Sequence, residues 1–130
     1  MKKLIKHYPI TILLTIIIWI LCLIPIEETP FDDFSWTDKL THVLMFGPLT
    51  IAIWVEHVRQ IDTSVLNVNL DLLLIIGFVA PILMGGLTEL AQQYCTYGNR
   101  TGDLFDWLAD CVGVSLGAII SMLVLKKKII

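Results

Sequence analysis

The chain has 130 residues, of which 56% are hydrophobic, and a mean hydropathy of +0.80; it is too apolar for an ordinary soluble domain and too short for two domains. Its net charge of −3 provides no basic surface for nucleic acid, so nucleic acid is excluded as a partner. The three cysteines, Cys22, Cys95 and Cys111, form neither a CxxC pair nor an even set, and we interpret them as small apolar residues.

Four apolar runs predict four membrane helices, since a helix needs about 20 such residues to cross a bilayer. The predicted fold class is an all-α membrane protein, a four-transmembrane-helix bundle that forms a single membrane domain over residues 1–130. The predicted helices cover residues 8–25, 39–58, 70–94 and 104–125. The first run follows three lysines, as a signal peptide does, but it is long and ends without a small-residue cleavage site.

The basic residues predict the orientation, because the cytoplasmic loops of membrane proteins carry an excess of lysine and arginine. With four spans, the side that holds both termini carries seven basic residues: Lys2, Lys3, Lys6, Arg59, Lys126, Lys127 and Lys128. The other side carries two, Lys39 and Arg100. The sequence therefore predicts a multi-pass protein of the cell membrane with the N and C termini in the cytoplasm.

The third predicted helix contains Pro81, which lacks a backbone N–H and cannot complete the helical hydrogen-bond ladder. In a membrane helix such a proline produces a kink, and neighbouring groups satisfy the carbonyl that it leaves free. The second predicted helix contains Pro48 as well, and we expect neighbouring groups in the bundle to satisfy the carbonyls that both prolines leave free.

Polar residues at the outer ends of three predicted helices are spaced so that they converge on one pocket. Asp38 and His42 are four residues apart and share a face of the second helix. Glu89 and Gln92 are three apart at the outer end of the third helix. The fourth helix carries a stripe at steps of three or four, composed of Asp103, Asp106, Asp110, Gly113, Gly117 and Ser121.

The glycines of this stripe predict which way it faces. Gly113 and Gly117 are four residues apart, a spacing that lets a neighbouring helix approach closely, so the stripe should face protein rather than lipid. Asp110 should lie about 10 Å deeper than Asp103, at the helical rise of about 1.5 Å per residue. We expect Asp103 to be solvated and Asp110 to be buried.

The predicted pocket has an excess of negative charge. Two cations, Lys39 and Arg100, face five carboxylates: Asp38, Glu89, Asp103, Asp106 and Asp110. Carboxylates held close together cannot all stay ionised, so protonation, a bound cation or water must compensate. The alternative is a purely structural network, in which Asp103 caps the fourth helix, Arg100 pairs with Glu89, and Lys39 extends to the lipid headgroups.

In their order and spacing, these residues resemble the VanZ-like family of small bacterial membrane proteins. The pattern reads Asp38-Lys39-xx-His42, then Glu89-xx-Gln92, then Arg100-xx-Asp103-xx-Asp106-xxx-Asp110-xx-Gly113-xxx-Gly117. The resemblance spans about residues 38–117 and implies a protein of the bacterial inner membrane with a role in cell-envelope biology. The member that gave the family its name is associated with resistance to the glycopeptide teicoplanin. The family often has Asn where this chain has Asp110.

Three functions are compatible with this pocket. The first is binding of a membrane lipid or lipid-linked envelope precursor headgroup, with Arg100 and Lys39 on its phosphate or carboxylate. The second is an enzyme acting on such a headgroup, with His42, Glu89 and Asp106 as candidate catalytic residues. The third is a proton-coupled transporter that uses buried carboxyls as relays. The candidate ligand-binding residues are Asp38, Lys39, His42, Glu89, Gln92, Arg100, Asp103, Asp106 and Asp110.

The sequence leaves the cofactor, the metal and the oligomeric state open. An oxygen-rich site with a single histidine suits Mg²⁺, Mn²⁺ or Ca²⁺ better than Zn²⁺.

Overall fold

The computed structural model describes residues 2–25, 35–60, 69–98 and 100–129, with side chains for residues 5–25, 36–60, 69–98 and 100–126. Within these ranges the chain is helical and has no strand, so the predicted all-helical class is confirmed there. The helices are α1 (Lys2–His7), α2 (Pro9–Leu23), α3 (Ser35–Arg59), α4 (Leu70–Leu74), α5 (Ala80–Cys95) and α6 (Leu104–Ile129). A π-helical turn, Ile75–Val79, joins α4 and α5 into one continuous helix, Leu70–Cys95.

Each predicted helix corresponds to one long helix, but two of them extend beyond the predicted ends. α3 begins at Ser35 rather than at residue 39, because it includes the polar residues before the apolar run, with Asp38 in a first turn that favours acids. α6 continues to Ile129 rather than ending at residue 125. It runs through three lysines, which are favoured near a helix C-terminus. Helix ends predicted from an apolar run are therefore too short where the terminal turns carry charged residues.

Among the described residues, two helices are long and apolar enough to cross a membrane, Leu70–Cys95 and Leu104–Lys126. α2 is apolar but has 15 residues, fewer than the roughly 20 that span a bilayer core. α3 has 25 residues and carries charged residues near both ends. Large apolar side chains such as Leu83, Leu116 and Leu123 are exposed on the outer surface. Extensive apolar surface of this kind is typical of a membrane or protein contact.

The contacts between helices show their relative directions. The end of α3 meets the start of α2, since Glu56 accepts a hydrogen bond from the Ile10 N–H at 2.8 Å. The start of α3 meets the start of α6, where Lys39 lies 3.4 Å from Asp106. α5 is joined to α6 by residues 96–103 and packs against it. The starts of α3 and α6 and the end of α5 thus lie together at one end of the molecule, which we call the site end.

The most extensive helix contact is between α3 and α6, and it depends on two glycines. A Cβ added at Gly113 would lie 2.7 Å from the carbonyl oxygen of Val43, and one at Gly117 would lie 2.6 Å from the carbonyl oxygen of Gly47. Real Cβ atoms do not come this close, so the two helices touch backbone to backbone. This contact holds the first turns of α3 against the acidic start of α6.

Alanine at Gly117 is expected to destabilise the folded chain by about 1–3 kcal/mol, the usual range for overpacking a tight contact. Alanine at Gly47, in the same helix contact, is the matched control. Its Cβ would have the carbonyl oxygen of Gly113 as its nearest neighbour, at 3.5 Å, an ordinary contact distance. Thermal unfolding in detergent should show a lower midpoint for Gly117→Ala than for Gly47→Ala. Equal midpoints would contradict the close approach of α3 and α6.

Pro81 breaks the hydrogen-bond ladder of the continuous helix Leu70–Cys95 as predicted, and another helix repairs it. The missing N–H of Pro81 would have bonded the carbonyl of Gly77, four residues earlier. The indole Nε1 of Trp54, on α3, donates to that carbonyl oxygen at 2.9 Å instead. Trp54 is almost completely buried, at 2% exposure, so this bond forms away from solvent. The expectation that a neighbouring group satisfies the freed carbonyl is confirmed.

Candidate functional site

Three buried polar side chains meet at the site end, one from each of α3, α5 and α6. His42 Nδ1 lies 2.8 Å from Asp110 Oδ1 and 3.8 Å from Glu89 Oε1. The exposures of His42, Glu89 and Asp110 are 1%, 7% and 0%. We call these three residues the buried triad. Their convergence follows from helix geometry, because the α3–α6 contact fixes His42 beside Asp110 and α5 packs against α6.

A second, more exposed layer of charged residues lies around Lys39. Its ammonium group is 3.6 Å from Asp103 Oδ2 and 3.4 Å from Asp106 Oδ1. The side chain of Asp103 is 42% exposed, whereas that of Asp110 is fully buried, so the predicted difference in depth is confirmed. Asp38 is exposed, and it offers a donor atom within 4.8 Å of donors on His42 and Asp106. Lys39 is therefore already neutralised by two aspartates, and it contributes less to anion binding than the sequence suggested.

The turn between α5 and α6 is held by side chains of both helices. Glu89 Oε2 accepts a hydrogen bond from the backbone N–H of Asp103 at 2.9 Å. Asp103 Oδ1 in turn accepts from the N–H of Phe105 at 2.8 Å, which makes it the cap of α6, as predicted. Gln93 Oε1 accepts from the N–H of Gly102 at 3.1 Å. Oε2 of Glu89 thus holds the turn, while Oε1 faces His42, the neighbouring member of the buried triad, at 3.8 Å.

Two oxygens of the buried triad have no hydrogen-bond partner among the described residues. They are Glu89 Oε1 and Asp110 Oδ2, both of which are buried. Asp110 Oδ2 occupies the space left by the absent side chain of Gly85, where an added Cβ would lie only 2.6 Å from this oxygen. Buried polar atoms without a partner are rare in native proteins and indicate a ligand, an ion or a function.

The structure gives different roles to two residues that the sequence assigned to the pocket. Gln92 is buried, and its amide donates to the carbonyl of Cys22 at 3.1 Å, so it packs α5 against α2 rather than joining the triad. Arg100 uses its backbone N–H and carbonyl to bond the hydroxyl of Thr96. Within the described ranges its guanidinium forms no ion pair, so the predicted pair with Glu89 is wrong. The carboxylate of Glu89 faces other groups instead: its Oε2 accepts from the N–H of Asp103 at 2.9 Å, and its Oε1 is buried 3.8 Å from His42 Nδ1.

An apolar groove of about 690 Å³ leads to this site between α5 and α6. Its walls are large apolar side chains, among them Leu83, Leu87, Leu90, Leu104 and Trp107. Its polar rim consists of Glu89, Gln93 and Asp103. Leu83, Leu87 and Leu90 are each more than half exposed, so the groove opens to the outside of the molecule. The sequence analysis missed this groove, because its walls are ordinary leucines that only the packing of the two helices brings together.

A second polar cluster, at the end opposite the site, was also missed. The carboxylate of Glu56 accepts from the N–H groups of Ile10 and Thr11 at 2.8 and 3.0 Å, and so stabilises the start of α2. The hydroxyl of Tyr8 lies 2.7 Å from Nδ1 of His57. Burial raises the pKa of the Tyr8 hydroxyl. A buried glutamate near the end of an apolar run was the available signal, and its partners lie about 45 residues away in sequence.

In the ranges that the structure describes, the protein is all-helical, with two membrane-capable helices and a buried acidic cluster beside an apolar groove. No protein-family model, curated protein or solved structure matches the chain.

Proposed function

We propose that this chain is a VanZ-like integral membrane protein that binds the headgroup of a membrane lipid or lipid-linked envelope precursor. In this proposal four helices cross the membrane, and the polar pocket faces outward. The residues that carry the resemblance lie close together at the site end, which supports the assignment: His42 contacts Asp110 at 2.8 Å, and Lys39 contacts Asp106 at 3.4 Å. Cell-envelope biology follows from the resemblance.

The groove between α5 and α6 is the observation that carries the proposal. It opens on the outer surface of two helices that are apolar enough to face lipid, and its walls match the chemistry of an acyl or prenyl chain. Its rim carries the carboxylate of Asp103, whose side chain is 42% exposed and accepts hydrogen bonds from hydroxyl or amine groups. A lipid lying in the groove would thus place its headgroup beside the buried triad. Arg100 contacts the phosphate in this proposal. Its guanidinium forms no ion pair with the described residues, so it is available to an anionic headgroup.

Filling the groove should remove the bound lipid. We expect Leu87→Trp to lose most of the lipid that co-purifies with the wild-type chain in mild detergent, measured by mass spectrometry. Leu108→Trp is the matched control, because Leu108 is exposed on α6 and does not line the groove. Arg100→Ala should lose phosphate-bearing lipids while its thermal stability changes little. Equal lipid content in the two tryptophan variants would contradict the proposal.

The orientation of the chain is part of the proposal. Seven basic residues on the side of the termini against two on the other side support cytoplasmic termini. In a chain without its native cysteines, cysteines placed at Glu28 and Asn99, two positions outside the described residues, should react with an impermeant reagent from outside the cell. A cysteine at Lys6 should react only after the membrane is opened. If Asn99→Cys reacts only from the cytoplasmic side, the chain has the opposite orientation, and the pocket faces the cytoplasm.

An enzyme acting on the same headgroup is the second candidate. The observation that favours it is the 2.8 Å contact between His42 and Asp110, the arrangement of a general base and the carboxylate that orients it. Glu89 and Asp106 are the other candidate acid–base residues. Turnover of lipid-linked precursors by the purified chain, abolished in His42→Gln, separates this candidate from binding alone.

A further inference from the structure

The two unpartnered oxygens of the buried triad need an explanation that a headgroup at the rim does not supply. Asp110 Oδ2 lies in the interior, against the backbone of Gly85, and the side chain of Asp110 is 0% exposed. Glu89 Oε1 is also buried, and the nearest titratable nitrogen, His42 Nδ1, is 3.8 Å away. If either acid carried a proton at these oxygens, that proton would need an acceptor, and the described residues provide none.

A cation bound by the triad would account for both oxygens. One donor atom each from His42, Glu89 and Asp110 lies within 4.8 Å of the others. Bonds of about 2.1 Å to a common ion place neighbouring donors roughly 3.0–3.5 Å apart. The observed separations from His42 Nδ1, 2.8 Å to Asp110 Oδ1 and 3.8 Å to Glu89 Oε1, lie on either side of that range. The unpartnered Asp110 Oδ2 is the second oxygen of the same carboxylate, and a carboxylate that binds an ion in bidentate fashion uses both oxygens.

The charge of the triad also matches a divalent ion. Two ionised carboxylates and a neutral imidazole carry two negative charges in a space without solvent, and burying such charges unpaired is costly. One divalent cation neutralises them. Imidazole suits transition metals, whereas carboxylates suit Mg²⁺, Ca²⁺ and Mn²⁺. Of Mg²⁺, Ca²⁺ and Mn²⁺, Mn²⁺ is the transition metal, so it best matches a donor set of one imidazole and two carboxylates.

We propose that His42, Glu89 and Asp110 form a binding site for one divalent cation, with Mn²⁺ as the ion that this donor set fits best. Asp38, His42 and Asp106 form a second group of donors, but both unpartnered oxygens belong to the deeper triad. The ion links α3, α5 and α6 below the rim where the headgroup is proposed to bind. The cation site does not depend on lipid binding, so either proposal can fail without the other.

The test is Mn²⁺ binding by the full chain, purified in detergent, stripped of metal with a chelator and dialysed. Titration followed by the electron paramagnetic resonance signal of free Mn²⁺ should show one bound ion per chain. Pulsed measurements on the bound ion should show modulation from an imidazole nitrogen, which shows that one of the three histidines is a ligand, and this modulation should persist in His57→Ala. Glu89→Gln and Asp110→Asn should each weaken binding by about tenfold or more.

Two variants with the same chemistry outside the triad are the controls. Glu56→Gln removes a buried carboxylate at the opposite end of the molecule, and Asp71→Asn removes an exposed one at the start of α4. Both should bind Mn²⁺ as the wild type does. The proposal is overturned if the wild-type chain binds no Mn²⁺, or if the bound ion shows no imidazole nitrogen. Wild-type affinity in folded Glu89→Gln or Asp110→Asn would also overturn it, because the ion would then lie elsewhere.

Discussion

In the metal-free chain, replacing His42 with alanine is expected to lower the free energy of unfolding by about 3–5 kcal/mol, the usual cost of removing one partner from a buried charged pair. The imidazole lies 2.8 Å from Asp110 and 3.8 Å from Glu89, both of them buried. Without it, Asp110 loses its hydrogen-bond partner, and Glu89 keeps only the backbone N–H of Asp103. The measurement is thermal or denaturant unfolding in detergent, followed by circular dichroism.

His57→Ala is the matched control for this prediction. His57 lies at the opposite end of α3 and bonds the hydroxyl of Tyr8, but it is only partly buried and faces no unpaired carboxyl of the triad. We expect it to cost about 1 kcal/mol, the value of one ordinary hydrogen bond. Adding Asp110→Asn to His42→Ala should restore part of the lost stability, because it removes one of the two unpaired charges. A His42→Ala chain that unfolds at the wild-type midpoint would show that the triad is not a stabilising contact.

Much of the site was predictable because helical periodicity fixes which residues share a face. The spacing of the α6 stripe predicted that Asp110, Gly113 and Gly117 face another helix, and the backbone contact with α3 has that geometry. Depth was predictable for the same reason, since the rise per residue separates the half-exposed Asp103 from the buried Asp110. Which residues share a face and how deep each one lies are properties of a single helix, so the sequence of that helix is enough to predict them.

The residues whose roles were predicted wrongly or missed are those that make contacts between helices or lie near backbone donors in turns. Residues three apart on a helix differ by about 60° around its axis, so Glu89 reaches the triad while Gln92 reaches Cys22 of α2. Arg100 was paired with Glu89 on charge alone, but a backbone N–H in the turn already occupies one oxygen of Glu89. Charge patterns do not reveal such backbone donors. The cap that Glu56 forms on α2 was missed because its partners are distant in sequence.

The second large effect is expected at Trp54, where Trp54→Ala should cost about 3–5 kcal/mol, as truncation of a buried aromatic usually does. Trp54 is 2% exposed and packs in a cluster with Val58, Leu73 and Ala118. Its indole also donates to the carbonyl of Gly77, which cannot accept the usual helical hydrogen bond from position 81 because proline has no N–H. The loss of packing and the loss of this hydrogen bond are separable by experiment.

The hydrogen-bond part is measured with Trp54→Phe, which retains most of the ring and removes the donor. In the wild-type chain it should cost about 1–3 kcal/mol, the penalty of a buried carbonyl left unsatisfied. In a Pro81→Ala background the restored N–H can bond Gly77, so the same substitution should cost less, with a coupling energy of about 1 kcal/mol or more. The four unfolding curves of this double-mutant cycle give that coupling directly.

Trp107→Phe controls for the loss of an indole as such. The indole of Trp107 donates to the carbonyl of Ile82 at 2.9 Å, but this carbonyl lies within α5, where the N–H of Gly86 is its regular helical partner. Its cost should therefore be the same with proline or alanine at position 81. If Trp54→Phe also costs the same in both backgrounds, the indole does not compensate for the proline, and Trp54 stabilises the helix contact by packing alone.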